Sequence, residues 1–362
     1  DPLRRQRQMC IRDRFIFVTN SLFAQELENT LITTDTYISY DYDAKSIMYE
    51  SNSNTKISPA SLTKLMTALI LYEANALNKE IITKLPIDYS YSGKVAYIEN
   101  GTVLTTEELL ELLLVYSAND AAYVASMEIS NSVDDFIKLM NLKARELNMD
   151  DTIYLNPDGL DEIGHETTLN DLLTLSIYII ENTKILNITS KKEIYINTMP
   201  KKTYNNTNLL IDEGFDGLKT GWTSQAGLTF IGFNQIDGRR ILTIVNKSIV
   251  DEKKNNHFLD TNILYTNSVN DFQIKNILSK NYVIYKINNS EFSKNYYSNN
   301  ALTSFVRTDT KLYEFVEIKN NQYALSFNDI ELETLFKIPS SNYKVNYQFH
   351  WSNRFLNNLL DN

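Results

Sequence analysis

Apolar and polar residues alternate early in the chain. Thr36–Tyr42 and Ser46–Glu50 are Tyr- and Ile-rich runs around Asp43-Ala44-Lys45, which predicts a β-hairpin. The period then changes. After Pro59, residues Leu62, Leu65, Met66, Leu69 and Ile70 recur at i, i+3, i+4, i+7 and i+8, which predicts a helix with one apolar face. Further helices are predicted over about Thr106–Tyr116, Asp120–Ile129, Val133–Leu147 and Leu172–Glu181. Thr105 and Glu108 form a capping box ahead of the first of these, and Asn170 or Asp171 caps the last. Asn156-Pro157-Asp158-Gly159 reads as a turn. Strand patterning returns over Gly217–Gly221, Leu228–Asn234 and Arg240–Val245, with Asp237-Gly238 as the hairpin signal between the last two.

A short helical stretch, Phe258–Leu264, then gives way to Tyr-, Asn-, Val- and Ile-rich strands, with no clear helix before Asn353. The pattern predicts an α/β (α+β) chain of strands and helices over 25–274, a small β-rich domain over 275–352, and the start of an amphipathic tail over 353–362. In that tail Phe355, Leu356, Leu359 and Leu360 hint at membrane association, although Arg354 alone is basic and such helices are rich in Lys and Arg.

The beginning of the chain reads differently. Asp1–Arg14 has no periodicity, and Met9-Cys10-Ile11-Arg12-Asp13 matches the translation of a common sequencing adapter, so 1–14 is set aside from fold reasoning. Phe15–Ala24 is short, apolar and ends on a small residue, as the remnant of a secretory signal would.

Composition narrows the function classes. The 362 residues are 43% hydrophobic and 22% charged, enough for a sizeable core. Net charge is −10, and setting aside five Arg and two Asp of the first fourteen residues (+3) makes it −13. Beyond that segment there is no block of Lys or Arg, which argues against a nucleic-acid partner. One cysteine and three histidines exclude a disulfide framework and a Cys/His zinc cluster. No nucleotide-binding glycine fingerprint occurs.

Three short motifs carry candidate chemistry. In Ser61-Leu62-Thr63-Lys64 the i, i+3 spacing puts a hydroxyl and an amine on one helix face. Serine needs a base to become a nucleophile, and lysine can be that base only if burial or a neighbouring cation lowers its pKa. Ser117-Ala118-Asn119 lies between two helices, anchored by the apolar run Leu109–Val115; its serine can relay a proton and its amide can hold a substrate carbonyl. Lys219-Thr220-Gly221 ends a strand, offering a cation, a hydroxyl and close backbone approach. Singly, each is explained as well by a helix cap, a solvated lysine or an ordinary edge strand. All three in order, each on the element its role requires, are specific.

With its surroundings, this set resembles the D-alanyl-D-alanine carboxypeptidases, the low-molecular-mass penicillin-binding proteins. The likeness includes Pro59–Thr67, Ser117–Ala122 (where the family usually has Gly at the middle of the triplet), Asn156–Leu160, and Gly217–Thr223 followed by Ala226-Gly227. It covers about Thr34 to Ser248; the C-terminal part agrees only in size and β character. The resemblance implies a β-lactamase/transpeptidase-like α/β (α+β) fold, a central antiparallel sheet flanked by helices with the site in a cleft, no metal and no cofactor. It further implies Ser61 as nucleophile, Lys64 as its base and Ser117 as proton relay to the departing D-alanine. Asn119, Lys219, Thr220 and Gly221 would bind substrate, and the backbone N–H groups of Ser61 and Trp222 would hold the oxyanion. Its partners would be a peptidoglycan stem peptide ending in D-Ala-D-Ala and the β-lactams that mimic it, in the extracytoplasmic cell envelope. Trp222 stands where the family often has His, and Ser224 where an acidic residue is common. Lys247 lies near the place where a basic residue often meets the substrate carboxylate.

Two other readings stay open. A serine β-lactamase shares the motifs, and Glu166-Thr167-Thr168-Leu169-Asn170 offers the carboxylate it would need for deacylation. A non-catalytic β-lactam sensor would be acylated without turnover. A Ser-His-Asp hydrolase is disfavoured: no G-x-S-x-G occurs, and His165, in a polar stretch, reads as a surface residue.

Overall fold

The structure, a computed structural model, describes residues 31–235, 238–252 and 255–278, and separate strand segments between 283 and 348. The adapter-like and signal-like segments (1–24), Asp237 of the hairpin signal and the tail over 353–362 lie outside the described residues. By contacts the chain divides into two units, the first ending at Val269 and the second beginning at Asn270.

In the first unit, β1 (Thr36–Asp41) and β2 (Ser46–Ser51) form the N-terminal hairpin. A 3-10 turn over Ala60–Thr63 runs into α1 (Lys64–Ala74). The short strands β3 (Glu80–Ile82) and β4 (Val103–Thr105) pair with each other ahead of α2 (Thr106–Leu114). The capping box is formed: the Thr105 side chain accepts from the Glu108 N–H, and the Glu108 carboxylate accepts from the Thr105 N–H at 2.7 Å. Then follow α3 (Asn119–Ile129), α4 (Val133–Glu146), α5 (Leu169–Asn182) and the single turn α6 (Ile185–Thr189). The cap of α5 is Thr168, whose side chain accepts from the Asp171 N–H, so neither Asn170 nor Asp171 fills that place; both are already inside the helix.

A second short pair, β5 (Glu193–Tyr195) and β6 (Thr203–Asn205), precedes the three long strands β7 (Phe215–Thr223), β8 (Gly227–Asn234) and β9 (Ile241–Ser248). The central sheet has five strands in the order β2-β1-β9-β8-β7, every neighbour antiparallel. The two-residue period sorts its faces. Ile38, Ile231, Phe233, Leu242 and Ile244 join the core shared with the helices. Phe230 points the other way, onto Phe258 of α7 (Asn256–Asp271), with ring centres 5.2 Å apart. Ser268 of α7 meets Ser39 of β1, and Tyr265 packs edge-on against Phe215 of β7.

The helix α1 departs from its expected one-sided character. Leu65, Met66, Ala68, Leu69, Leu71 and the polar Lys64 and Thr67 are all buried, because α1 is surrounded by α2, α3, α4 and α5. Burying Lys64 there positions the chemistry described below.

The second unit is described as strands. Phe272–Leu278 pairs with Leu302–Arg307, Val283–Asn288 lies between Ser293–Tyr297 and Asn346–Gln348, and Glu314–Lys319, Gln322–Phe327 and Ile330–Lys337 form a meander. Among the described residues no helix is long and apolar enough to cross a membrane.

Candidate active site

Ser61 lies in the 3-10 turn, three residues before the α-helix begins at Lys64. Ala60, at φ +47°, turns the chain sharply there. Lys64, the first residue of α1, is fully buried, and its Nζ donates to Ser61 Oγ at 2.8 Å and to the Asp158 carbonyl oxygen at 2.6 Å. Burial pulls the Lys64 pKa from 10.5 down to about 8; the carboxylates of Asp158 and Asp120 oppose that shift, and Lys94 adds to it.

The Asn156–Gly159 turn holds this pair from below. The Gly159 N–H donates to Asn156 Oδ1 at 2.7 Å, and Thr67 Oγ1 donates to the Pro157 carbonyl at 2.7 Å. Gly159 sits at φ +87°, and a Cβ there would lie 1.9 Å from the Ala60 carbonyl oxygen, so glycine is required on both counts. Gly221 of β7 closes in from the other side. A Cβ on it would stand 3.2 Å from the Ser61 nitrogen and 2.7 Å from Thr229 Cγ2. The strand backbone therefore runs directly beside the Ser61 N–H, with Trp222 next along it.

Ser117 occupies a left-handed conformation, φ +69°, in the bend between α2 and α3. Asn119 begins α3; its N–H donates to the Lys94 carbonyl at 2.7 Å and its Nδ2 to the Ser92 carbonyl at 2.8 Å. Lys219, Thr220 and Gly221 lie inside β7 rather than at its end, and β7 is an edge of the sheet. The Lys219 side chain turns inward: it is 2% exposed, and Nζ donates to the Thr220 carbonyl at 2.8 Å. Burial drives its pKa well below the usual lysine range, with Lys64 and Lys94 adding to the effect. Thr220 Oγ1 donates to Thr207 Oγ1 at 2.6 Å.

A cleft of about 990 Å³ gathers Ser61, Ser117, Asn119, Thr220, Gly221 and Trp222 along its walls. Lys64 and Lys219 lie behind that lining, buried. Trp222 is half exposed at the rim. All eight residues singled out in the sequence thus converge from three distant segments.

Several neighbours were not foreseen. Lys94 lines the cleft beside Asn119. Asp161 also lines it, accepting from Ser224 Oγ at 3.0 Å, the Gln225 N–H at 3.2 Å and Ser58 Oγ at 3.3 Å, which ties the turn after β7 to the Asn156–Asp161 segment. That gives Ser224 a partner of the charge expected in its own place. His165 is 4% exposed rather than on the surface. Its Nε2 shares a hydrogen bond with Thr63 Oγ1 at 2.8 Å, and its Nδ1 accepts from the Leu155 N–H at 3.1 Å. Burial lowers its pKa from 6.5 to about 4. Lys247 does not line the cleft. Glu166 does not line it either; its carboxylate pairs with Lys56 at 2.6 Å.

Known proteins are similar to this chain. A family model described as D-alanyl-D-alanine carboxypeptidase matches residues 23–248, which contain every lining residue of the cleft except His257 and Phe258. The chain belongs to that family. Similar proteins include the D-alanyl-D-alanine carboxypeptidase DacF of Bacillus subtilis, 32% identical over 59% of this chain and 57% of that one. A D-alanyl-D-alanine endopeptidase of Haemophilus influenzae is 30% identical over 59% of this chain and 75% of its own. Among solved structures, a penicillin-binding protein of Listeria monocytogenes in its cefotaxime-bound form aligns with a TM-score of 0.59 at 29% identity, covering 67% of this chain and all of that one. The DacD carboxypeptidase of Francisella tularensis, at 20% identity, shares the fold over 87% of this chain with a TM-score of 0.69. The chain spans a little over half the length of the carboxypeptidases DacF of Bacillus subtilis and DacA of Haemophilus influenzae.

Proposed function

We propose that the chain is a serine-type D-Ala-D-Ala carboxypeptidase that trims the terminal D-alanine from peptidoglycan stem peptides and is acylated by β-lactams. The observation that carries this reading is the 2.8 Å contact between Lys64 Nζ and Ser61 Oγ, in a cleft lined by Ser117, Asn119 and Thr220. Lys64 takes the hydroxyl proton, and Ser61 Oγ bonds to the carbonyl carbon of the penultimate D-alanine. The N–H groups of Ser61 and Trp222 receive the developing oxyanion. The bond to the terminal D-alanine then breaks, Ser117 passing a proton to its nitrogen. Water hydrolyses the acyl-enzyme and restores Ser61. Asn119 orients the substrate amide, which runs along the open edge of β7 where Gly221 leaves room for it.

A β-lactamase reading needs a carboxylate to activate the deacylating water. Glu166 is turned to Lys56, and Asp161, the one carboxylate among the residues lining the cleft, is engaged by three donors. These contacts favour the carboxypeptidase. The same proposal places the protein in the extracytoplasmic envelope, exported by the signal-like segment, with the C-terminal tail giving peripheral membrane contact that liposome flotation would test. Function is tested by release of D-alanine from a D-Ala-D-Ala peptide, with and without penicillin. Wild type should release it and Ser61→Ala should not; release by Ser61→Ala, or its labelling with fluorescent penicillin, would overturn the assignment.

A further inference from the structure

Asn119 and Asp120 hold two halves of one loop. Asn119 binds the half beside the cleft, through the Lys94 and Ser92 carbonyls. Asp120, fully buried, binds the other half: its Oδ1 accepts from the Ala96 N–H at 2.9 Å and its Oδ2 from the Ile98 N–H at 2.8 Å. Tyr97 lies between those two anchors. Ala96 and Ile98 are buried, whereas Tyr97 is 65% exposed and takes a left-handed backbone, φ +60°. That conformation is unfavourable for a residue with a large side chain and persists only where its surroundings impose it. Here the buried carboxylate imposes it, and a ring is held out in solvent.

Tyr97 has a partner. Its ring meets that of Tyr91, itself 43% exposed, with centres 5.4 Å apart. The Tyr91 hydroxyl donates to the Ile98 carbonyl at 2.7 Å, which fixes the second ring to the same anchored backbone. Tyr91 in turn rests on Tyr89, at 5.2 Å, and Tyr89 on Tyr123 of α3, at 4.8 Å. Exposed rings fixed in this way lose little freedom when a ligand stacks on them. Ser90, Ser92 and Glu99 are exposed in the same loop. Flat rings with a polar border suit a sugar, whose C–H face lies on the rings while its hydroxyl and acetamide groups meet the border.

The location favours the same occupant. Gly93, two residues from Tyr91 and four from Tyr97, lines the cleft. In a stem pentapeptide three residues separate the acylated D-alanine from the glycan, roughly 10 Å of extended chain. By the same measure Tyr91 and Tyr97 lie at most about 7 and 14 Å from Gly93. Asn119, which orients the substrate amide, is bonded to this loop, so the loop borders the side on which the stem leaves the site.

Resting on the function proposed above, we infer that Tyr91 and Tyr97 form a glycan-binding platform beside the cleft, which takes an N-acetylhexosamine of the strand that bears the stem peptide. Neither ring touches the reacting bond; both are substrate-binding residues.

The test compares D-alanine release from a disaccharide pentapeptide (N-acetylglucosaminyl-N-acetylmuramyl) and from the same five residues carrying an acetyl group in place of the sugars. The enzymes are wild type, Tyr97→Gly and Tyr97→Phe. Glycine accepts the left-handed backbone, so Tyr97→Gly removes the ring and keeps the loop. Wild type should prefer the sugar-linked substrate in kcat/KM. Tyr97→Gly should lose roughly 5- to 10-fold of that preference, the worth of one aromatic contact, chiefly through a raised KM. Tyr97→Phe should keep it. The ratio of the two substrates cancels any difference in the folded fraction. A wild type without the preference, equal losses on both substrates, or a Tyr97→Phe as impaired as Tyr97→Gly would overturn the inference. A wild type that releases D-alanine from neither substrate would instead overturn the proposed function. In that event the inference is decided by binding of the two peptides to Ser61→Ala, and it fails unless the sugar-linked one binds more tightly and adding Tyr97→Gly removes the difference.

Discussion

Lys64 Nζ sits 2.8 Å from Ser61 Oγ while the Asp158 carbonyl takes a second of its protons at 2.6 Å, so the amine faces the nucleophile from a fixed direction. With a pKa lowered to about 8 by burial, Lys64 gains its basic form as pH rises through that value. The second-order rate of acylation by benzylpenicillin should therefore climb with pH and level off above about 8. Lys64→Gln should remove this limb and slow acylation by about 10²- to 10⁴-fold, the usual worth of a positioned base. Stopped-flow acylation across pH 6–10 checks both.

Gly159 offers a test of how tightly the turn is built against Ala60. Gly159→Ala adds a methyl 1.9 Å from a carbonyl oxygen at a left-handed φ. Thermal unfolding should show a loss of at least about 2 kcal/mol, and penicillin labelling of whatever folds should be slowed, because the displaced carbonyl belongs to the residue before Ser61.

Glu166 separates the carboxypeptidase from the β-lactamase. Its carboxylate is held by Lys56 away from the cleft. Glu166→Gln should leave the lifetime of the penicilloyl-enzyme within about twofold of wild type, measured by recovery of free enzyme. A lifetime lengthened a hundredfold would restore the β-lactamase reading.

His165 couples folding to acidity. Burial holds its folded-state pKa near 4, below the ordinary 6.5 of the unfolded chain, and His257 behaves alike. Between those values the unfolded state binds more protons, so stability falls as pH drops from 6.5 towards 4 and is unaffected by these groups above 6.5. Each histidine contributes a slope of up to about 1.4 kcal/mol per pH unit. Urea unfolding of His165→Gln should show roughly half the histidine-dependent slope in that window, whatever its stability at pH 7.

The strands, most helix positions and the three motifs were legible because each leaves a local mark: short apolar runs flanking the Asp237-Gly238 signal for β8 and β9, a capping box at Thr105, or a fixed spacing such as Ser61 to Lys64. The missing pieces depend on contacts between distant segments. His165 sits among polar neighbours, and its burial follows from Thr63, 102 residues away. Nothing local in the sequence marks Lys94 as a cleft residue; its carbonyl meets the N–H of Asn119, 25 residues away. The apolar face assigned to α1 was incomplete because helices later in the chain enclose the side that should have met water. The cap of α5 was misread by two or three residues, since Thr168, Asn170 and Asp171 are all plausible caps and only tertiary context chooses among them.

Ser61 is hemmed in by backbone from three places: Ala60 beside it, Gly159 below and Gly221 alongside. The contacts with Gly159 and Gly221 do not form within a local stretch of chain, and the strand that bears Gly221 is aligned only once β8 has paired with it. A nucleation event confined to the first helix would leave the serine no more reactive than free serine. Covalent capture by a fluorescent penicillin would therefore count only molecules in which the sheet and the turn have both docked, making the drug itself a clock for the last stage of refolding.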